Sequence, residues 1–78
     1  MFVVYAIKSI QRKYIYVGLT TELYIRLKRH NDGGNRSTKP YAPFKLIYIK
    51  IFDSRKEARD YEKYLKSGCG KEFLKSLP

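Results

Sequence analysis

One cysteine, Cys69, in 78 residues leaves this chain few ways to hold itself together. It can close no internal disulfide, and Cys69 lacks the companions that a zinc site of four cysteines or two cysteines and two histidines requires. Stability must come from one small apolar core. A chain this short buries only about 60% of the surface it exposes when unfolded. The expectation is therefore a single domain over residues 1–78, built from a few elements with short connections. A lone cysteine also suits a reducing compartment.

The apolar pattern says which elements these are. Residues 2–8 are apolar and β-branched on both faces, as in a buried strand. Ser9-Ile10-Gln11-Arg12 is a polar turn, and residues 13–18 alternate as a second strand, so the two predict an antiparallel hairpin. Gly18 stands where a backbone must pass closely or take positive φ. Thr20 or Thr21 can cap a helix running to about Asn31, with Leu23, Leu27 and His30 on one face. Asp32-Gly33-Gly34 ends it, and residues 33–43 form a polar, basic loop with two prolines. Residues 44–52 are the strongest strand. Ser54 with Glu57 makes a capping box that starts a second helix, which runs to about Ser67. Gly68-Cys69-Gly70 breaks that helix, and residues 71–77 form a short terminal one. The expected fold is α+β: a small three-stranded, antiparallel-type sheet flanked by helices, in the order β-β-α-β-α-α.

Charge narrows the partners. Lys and Arg number 17 against 7 Asp and Glu, for a net charge of +10. Such a body attracts polyanions, nucleic acid first among them; acidic membrane surfaces and acidic proteins are the alternatives. The apolar start, Met1 to Ile7, is short, is preceded by no basic region and is followed by no small-residue cleavage site. Nothing approaches the ~20 apolar residues of a membrane span. These features predict a cytoplasmic protein with no membrane segment. There is no phosphate-binding Walker loop, dinucleotide fingerprint or serine-nucleophile elbow.

Several polar residues stand where they need explaining. On the second helix, Ala58, Tyr61 and Leu65 form an apolar stripe with Glu62 at its edge. A carboxylate placed there is costly unless it is paired or binds a metal. Read alone, it is equally a partly exposed ion pair. Arg26 and His30 share a face of the first helix with Leu23 and Leu27. Arginine offers a planar fork for phosphate, and histidine moves protons near neutral pH. Alone, Arg26 could lay its stem over apolar surface, and His30 could be a helix-end histidine favoured by the dipole. Tyr5 and Tyr16 can meet on one side of the hairpin and bind a water or a phosphate, or be ordinary sheet tyrosines. Lys28, Arg29, Arg36, Lys39 and Lys45, with the hydroxyl of Thr38, gather around the loop as a candidate phosphate-binding surface.

In order along the chain, these residues resemble the GIY-YIG nuclease family from Val3 to about Leu77. Val3-Val4-Tyr5 is similar to its first motif and Tyr16-Val17-Gly18 to its second. Arg26-Leu27-Lys28-Arg29-His30-Asn31 resembles its arginine helix, and Glu57 to Lys66 its glutamate helix. Compact stand-alone members, excision-nuclease-like, resemble it best. The resemblance implies an endonuclease that hydrolyses DNA phosphodiesters to 5′-phosphate and 3′-hydroxyl ends; a preference for single-stranded or branched DNA over plain duplex is one expectation for its substrate. It implies one Mg²⁺ or Mn²⁺ ion with Glu62 as its single protein ligand. It makes Tyr5 the general base or the positioner of water, Tyr16 a partner of the phosphate or that water, and Arg26 the neutraliser of developing charge. His30 would assist by proton transfer or phosphate contact, and Tyr5 and His30 could exchange roles. Three departures are visible. Val3 replaces the glycine of the family's name. Lys71 to Pro78 holds no asparagine where family nucleases often carry one, here near Leu74. No targeting module accompanies these residues, so recognition of a long DNA sequence is not expected. The alternative reading is a nucleic-acid-binding module without turnover, and a small basic interaction protein is a third. The expected state is a monomer or a weak homodimer.

Overall fold

The computed structural model describes residues 1–34 and 36–77. Asn35, in the expected loop, and Pro78, at the end of the expected domain, lie outside the described residues. The element order is the expected one: β1 (Phe2–Ser9), β2 (Ile15–Thr20), α1 (Leu23–Asn31), β3 (Phe44–Phe52), α2 (Arg55–Lys66) and α3 (Gly68–Lys75). The sheet is antiparallel throughout, in the order β2-β1-β3. The long apolar run of β1 thus takes the central place, where both faces and both edges are covered.

Alternation along β1 sends its side chains into two cores. Val4 and Ala6 pack with Val17 of β2 and with Ala58, Leu65 and Leu74 of α2 and α3. Tyr5 and Ile7 face the other way, against Leu23 and Leu27 of α1 and Phe44 of β3. Helices therefore cover the sheet on both sides. A bulge in β3 serves this division. Ile7 pairs with Leu46 but Ala6 pairs with Tyr48, so Ile47 is the extra residue and the facing of β3 reverses there. Phe44 stays on the α1 side, while Tyr48 and Phe52 reach the α2 side.

Local chemistry sets the boundaries. Ser54 Oγ accepts from the Glu57 backbone N–H at 3.1 Å, the cap expected for α2 and worth about 1 kcal/mol. At α1 the cap position is Glu22, with no side-chain cap bond; Thr20 Oγ1 instead accepts from the Glu22 N–H at 3.0 Å. The hairpin is offset from expectation. Its second strand runs past Gly18 to Thr20, and Gly18 sits within it opposite Tyr5. Close approach, not positive φ, is what Gly18 provides: an added Cβ would lie 2.5 Å from the Tyr5 hydroxyl oxygen. Positive φ occurs instead at Gly33 (79°), just past the α1 C-terminus. The glycines after α2 do not separate the last two helices. Ser67 caps α3, and Gly68-Cys69-Gly70 is its first turn.

The loop after α1 is tied back at several points. Asn31 Oδ1 accepts from the Phe44 N–H at 2.7 Å, joining the end of α1 to the start of β3. Ser9 Oγ donates to the Tyr41 carbonyl at 2.6 Å, and Tyr41 stacks on Tyr14 with centroids 4.0 Å apart. A 3₁₀ turn, Lys39–Tyr41, and a cis Ala42–Pro43 bond complete the return. These ties hold the loop, and Thr38 with it, against the α1 side of the sheet.

Candidate active site

The site grows from the register of the hairpin. Tyr5 pairs with Gly18, and Ile7 with Tyr16, so Tyr5, Tyr16 and Gly18 share the α1 face of the sheet. Because Gly18 has no side chain, the Tyr5 ring lies across β2 with its hydroxyl over that residue. The Tyr5 and Tyr16 ring centroids are 6.3 Å apart. His30, in the last turn of α1, closes the group at 4.9 Å from the Tyr16 ring, with its Nε2 3.0 Å from the Tyr5 hydroxyl.

His30 is fully buried, so it is not the solvated helix-end residue that it could have been from sequence alone. Its second nitrogen, Nδ1, lies 2.9 Å from Thr38 Oγ1. Thr38, grouped in sequence with exposed basic residues, is itself fully buried and holds the imidazole. Tyr5, His30 and Thr38 thus form a buried hydrogen-bonded chain from sheet to loop. Among the described residues, no buried side-chain nitrogen or oxygen lacks a partner.

Electrostatics tie the remaining two groups to this chain. Burial pushes the Tyr5 phenol up to about 12; the neighbouring Tyr16 and the Glu62 carboxylate push the same way, and the Arg26 guanidinium opposes them. Burial, with Arg26 beside it, lowers His30 below its ordinary 6.5. Arg26 and Glu62 thus act on the Tyr5 phenol in opposite directions. Both side chains are half-buried, one from α1 and one from α2 on the opposite face of the sheet. Glu62 pairs with Lys66 at 3.3 Å, and that lysine is 54% exposed against 19% for the glutamate. A pair of this kind, one turn apart and open to solvent, holds Glu62 weakly.

The depressed imidazole has a consequence for stability. The unfolded chain binds a proton at His30 near pH 6.5, and the folded chain does so only in more acid solution. Between those values the unfolded state carries more protons, so acid favours unfolding. Stability is full above pH 6.5 and falls as pH drops toward the folded value. A Tm series in falling pH is expected to decline more steeply for the native protein than for a His30→Gln variant. Parallel curves would show that His30 is not held neutral.

Of the basic residues grouped in sequence, Lys28, Arg29, Arg36, Lys39 and Lys45 are all exposed. Lys28, Arg29 and His30 occupy the last turn of α1, where cations suit the helix dipole. For a divalent cation the fit is specific in kind. No group of three or more His, Cys, Asp or Glu side chains is found among the described residues, so no all-protein cage exists there. One half-buried carboxylate with an easily displaced partner suits a hard cation that keeps most of its waters, as Mg²⁺ does.

With this geometry, the chain belongs to the GIY-YIG catalytic-domain family, which it matches over residues 1–73. Within it, the chain is similar to the UPF0213 proteins. It is 40% identical to one from Clostridium perfringens over 53 residues, 67% of this chain and 57% of that protein. With YazA of Bacillus subtilis it shares 42% over 52 residues, 65% of this chain and 52% of that one. The chain thus spans little more than half the length of these relatives. The solution structure of a UPF0213 protein from Bacillus halodurans superposes with a TM-score of 0.58 at 34% identity, covering 97% of this chain and 84% of that one. No helix among the described residues is long and apolar enough to cross a membrane.

Proposed function

We propose that this chain is a divalent-metal-dependent DNA endonuclease whose proton path runs through Tyr5 to His30, with Thr38 holding the imidazole and solvent taking the proton after the cut. The supporting observation is the pair of contacts on His30, 3.0 Å to Tyr5 and 2.9 Å to Thr38. A phenol pushed up to about 12 is almost entirely protonated at neutral pH, so Tyr5 does not act as a standing phenolate. It acts through the imidazole. With His30 neutral, Nδ1–H donates to Thr38, leaving Nε2 to accept from Tyr5. As the attacking water forms its bond to phosphorus, its proton passes to the Tyr5 oxygen, while the Tyr5 proton passes to His30 Nε2. The bond from phosphorus to the 3′ oxygen breaks, giving 5′-phosphate and 3′-hydroxyl ends once that oxygen takes a proton from solvent. Tyr16 holds the phosphate or the water, and Arg26 offsets the charge that grows on the phosphoryl oxygens. Glu62 is the residue to hold Mg²⁺ or Mn²⁺, which when bound supplies charge neutralisation at the phosphate and the departing oxygen. Lys28, Arg29, Arg36, Lys39 and Lys45 contribute phosphate attraction from the flank.

Tyr5→Phe removes the first link of the path and keeps the ring. Nicking by this variant is expected to fall about a hundredfold or more. The loss leaves His30 Nε2 without a partner, at a cost of about 1–3 kcal/mol, so a lower Tm accompanies it. The native rate should stay level through neutrality and fall only in solution more acid than the ordinary histidine range, where the buried His30 of the folded protein takes up a proton. Unchanged nicking by folded Tyr5→Phe protein would remove Tyr5 from the chemistry.

A further inference from the structure

A cavity of about 250 Å³ opens at the corner of the sheet where β1 begins and β2 ends. Phe2 and Leu19 form its apolar wall, and Thr20, Thr21, Arg26 and Arg55 its polar one. The two arginines come from opposite sides of the sheet. Arg26 belongs to α1, and Arg55 is the first residue of α2, where the helix dipole disfavours a cation. No carboxylate lines the cavity. Among the described residues the one side-chain ion pair is Glu62 with Lys66, so neither guanidinium has a carboxylate partner. Two cations sharing one small cavity without a counter-charge repel each other, and an anion between them removes that cost.

The lining fits a tetrahedral oxyanion. Guanidinium groups offer paired N–H donors to phosphate oxygens. Thr20 Oγ1 accepts from the Glu22 backbone N–H at 3.0 Å, which leaves its hydroxyl hydrogen to donate. The Thr21 hydroxyl adds a donor at an exposed position. The volume lies below the range of pockets that enclose whole small molecules, about 300–1,000 Å³, and suits one phosphate group with a few waters. The cavity also adjoins the reaction centre. Thr20 stands two residues along β2 from Gly18 and on the same face, about 7 Å away. The Tyr5 hydroxyl lies over Gly18. That step is comparable with the one between neighbouring phosphates of a strand. Arg26 is common to both places: it lines the cavity, and its charge acts on Tyr5 and His30.

We propose that Arg55, with Arg26, Thr20 and Thr21, holds the phosphate next to the scissile one on the strand being cut. The proposal rests on the nuclease reading and adds to that site a second arginine, from the helix that also carries Glu62. Arg26 then stands between two phosphates, and Arg55 fixes the register that brings the neighbouring phosphodiester to Tyr5 and Tyr16. A contact of this kind touches no base, so it positions the strand without choosing a sequence.

The test uses the full chain without metal, at constant ionic strength. Inorganic phosphate is titrated while NMR follows the guanidinium signals of Arg26 and Arg55 and the amide signals of Thr20 and Thr21. All four are expected to shift and to saturate together, and Arg55→Gln should weaken that binding about tenfold. Arg59→Gln, the same change at an exposed position of α2 outside the cavity, should leave it as it is. A short DNA duplex is the second probe. Arg55→Gln should make its salt slope shallower by about 0.9, the share of one phosphate contact. Saturating phosphate should bring the native affinity for DNA down to that of the variant. Shifts that never saturate, or equal weakening by Arg55→Gln and Arg59→Gln, would mean diffuse attraction and overturn the pocket. Phosphate that binds there without competing with DNA would mark a site for the free anion and overturn the assignment to the strand. Because nicking is not read, a chain that cuts nothing can still hold phosphate here, and one that cuts can still leave Arg55 idle.

Discussion

Glu62→Gln protein will lose metal-dependent nicking by about a thousandfold while it stays folded. A metal at a transition state supplies several kcal/mol of charge stabilisation, and each 1.36 kcal/mol is a factor of ten in rate. The Glu62 carboxylate is one of the groups that push the Tyr5 phenol up. Its removal leaves the cation without the one protein ligand proposed for it. The fold has little at stake, because the ion pair with Lys66 is exposed and worth at most about 1 kcal/mol. Far-ultraviolet circular dichroism should match the native protein, and metal-free DNA binding should be retained. Binding itself should tighten slightly, since a negative charge leaves a basic surface. A variant that still nicks at the native rate would mean that the cation is held elsewhere.

The largest effect on stability is expected at Gly70. It is buried in the first turn of α3, where that helix crosses the end of α2. A Cβ there would run into the Tyr64 carbonyl oxygen and the Leu65 Cα. Both are backbone atoms of a helix whose Leu65 side chain is fully buried, so neither can swing aside. Gly70→Val must therefore lift α3 off α2 and uncover Leu74, at a cost above about 3 kcal/mol. A domain below about 80 residues rarely holds more than 3–5 kcal/mol in all. The variant should be largely unfolded at room temperature by circular dichroism. Gly68 provides the contrast two residues earlier, with nothing within 4 Å of its added Cβ. Gly68→Ala should raise stability by about 0.5–1 kcal/mol through helix propensity alone. Equal melting of the two variants would contradict the packing of α3 on α2.

These two glycines also mark where the sequence misleads. Low helix propensity makes Gly68-Cys69-Gly70 read as a break, yet Ser67 caps a helix over them, and Gly70 is the residue that lets two helices touch. Propensity is a local quantity, and the crossing of α2 by α3 is not. The elements that were legible carry their causes in adjacent residues. Ser54 and Glu57 fix the start of α2, and the apolar run Phe44 to Phe52 is β3 from end to end. The bulge at Ile47 was hidden, because it answers the two cores on opposite sides of β1. Alternation alone does not announce it.

The site divides along the same line. Tyr5 and Tyr16 could be placed together from the hairpin, since register follows from a short turn. The burial of His30 could not be read from the spacing of Leu23 and Leu27. It depends on Thr38 returning across a loop to within 2.9 Å of Nδ1. Thr38 stands out in sequence only as one hydroxyl among basic residues. What fixes its place is the set of ties made by Asn31, Ser9 and Tyr41, each to a distant segment.

Single-turnover cleavage of end-labelled DNA in Mn²⁺, using a substrate with a junction between single and double strand, bears most directly on the whole account. Native protein is expected to give 5′-phosphate and 3′-hydroxyl ends, with the rate collapsing in Tyr5→Phe, Arg26→Ala and Glu62→Gln proteins that remain folded. A folded native protein that cuts no such DNA, or three variants that cut it as fast as the native chain, would show that these side chains do not form a phosphodiesterase centre.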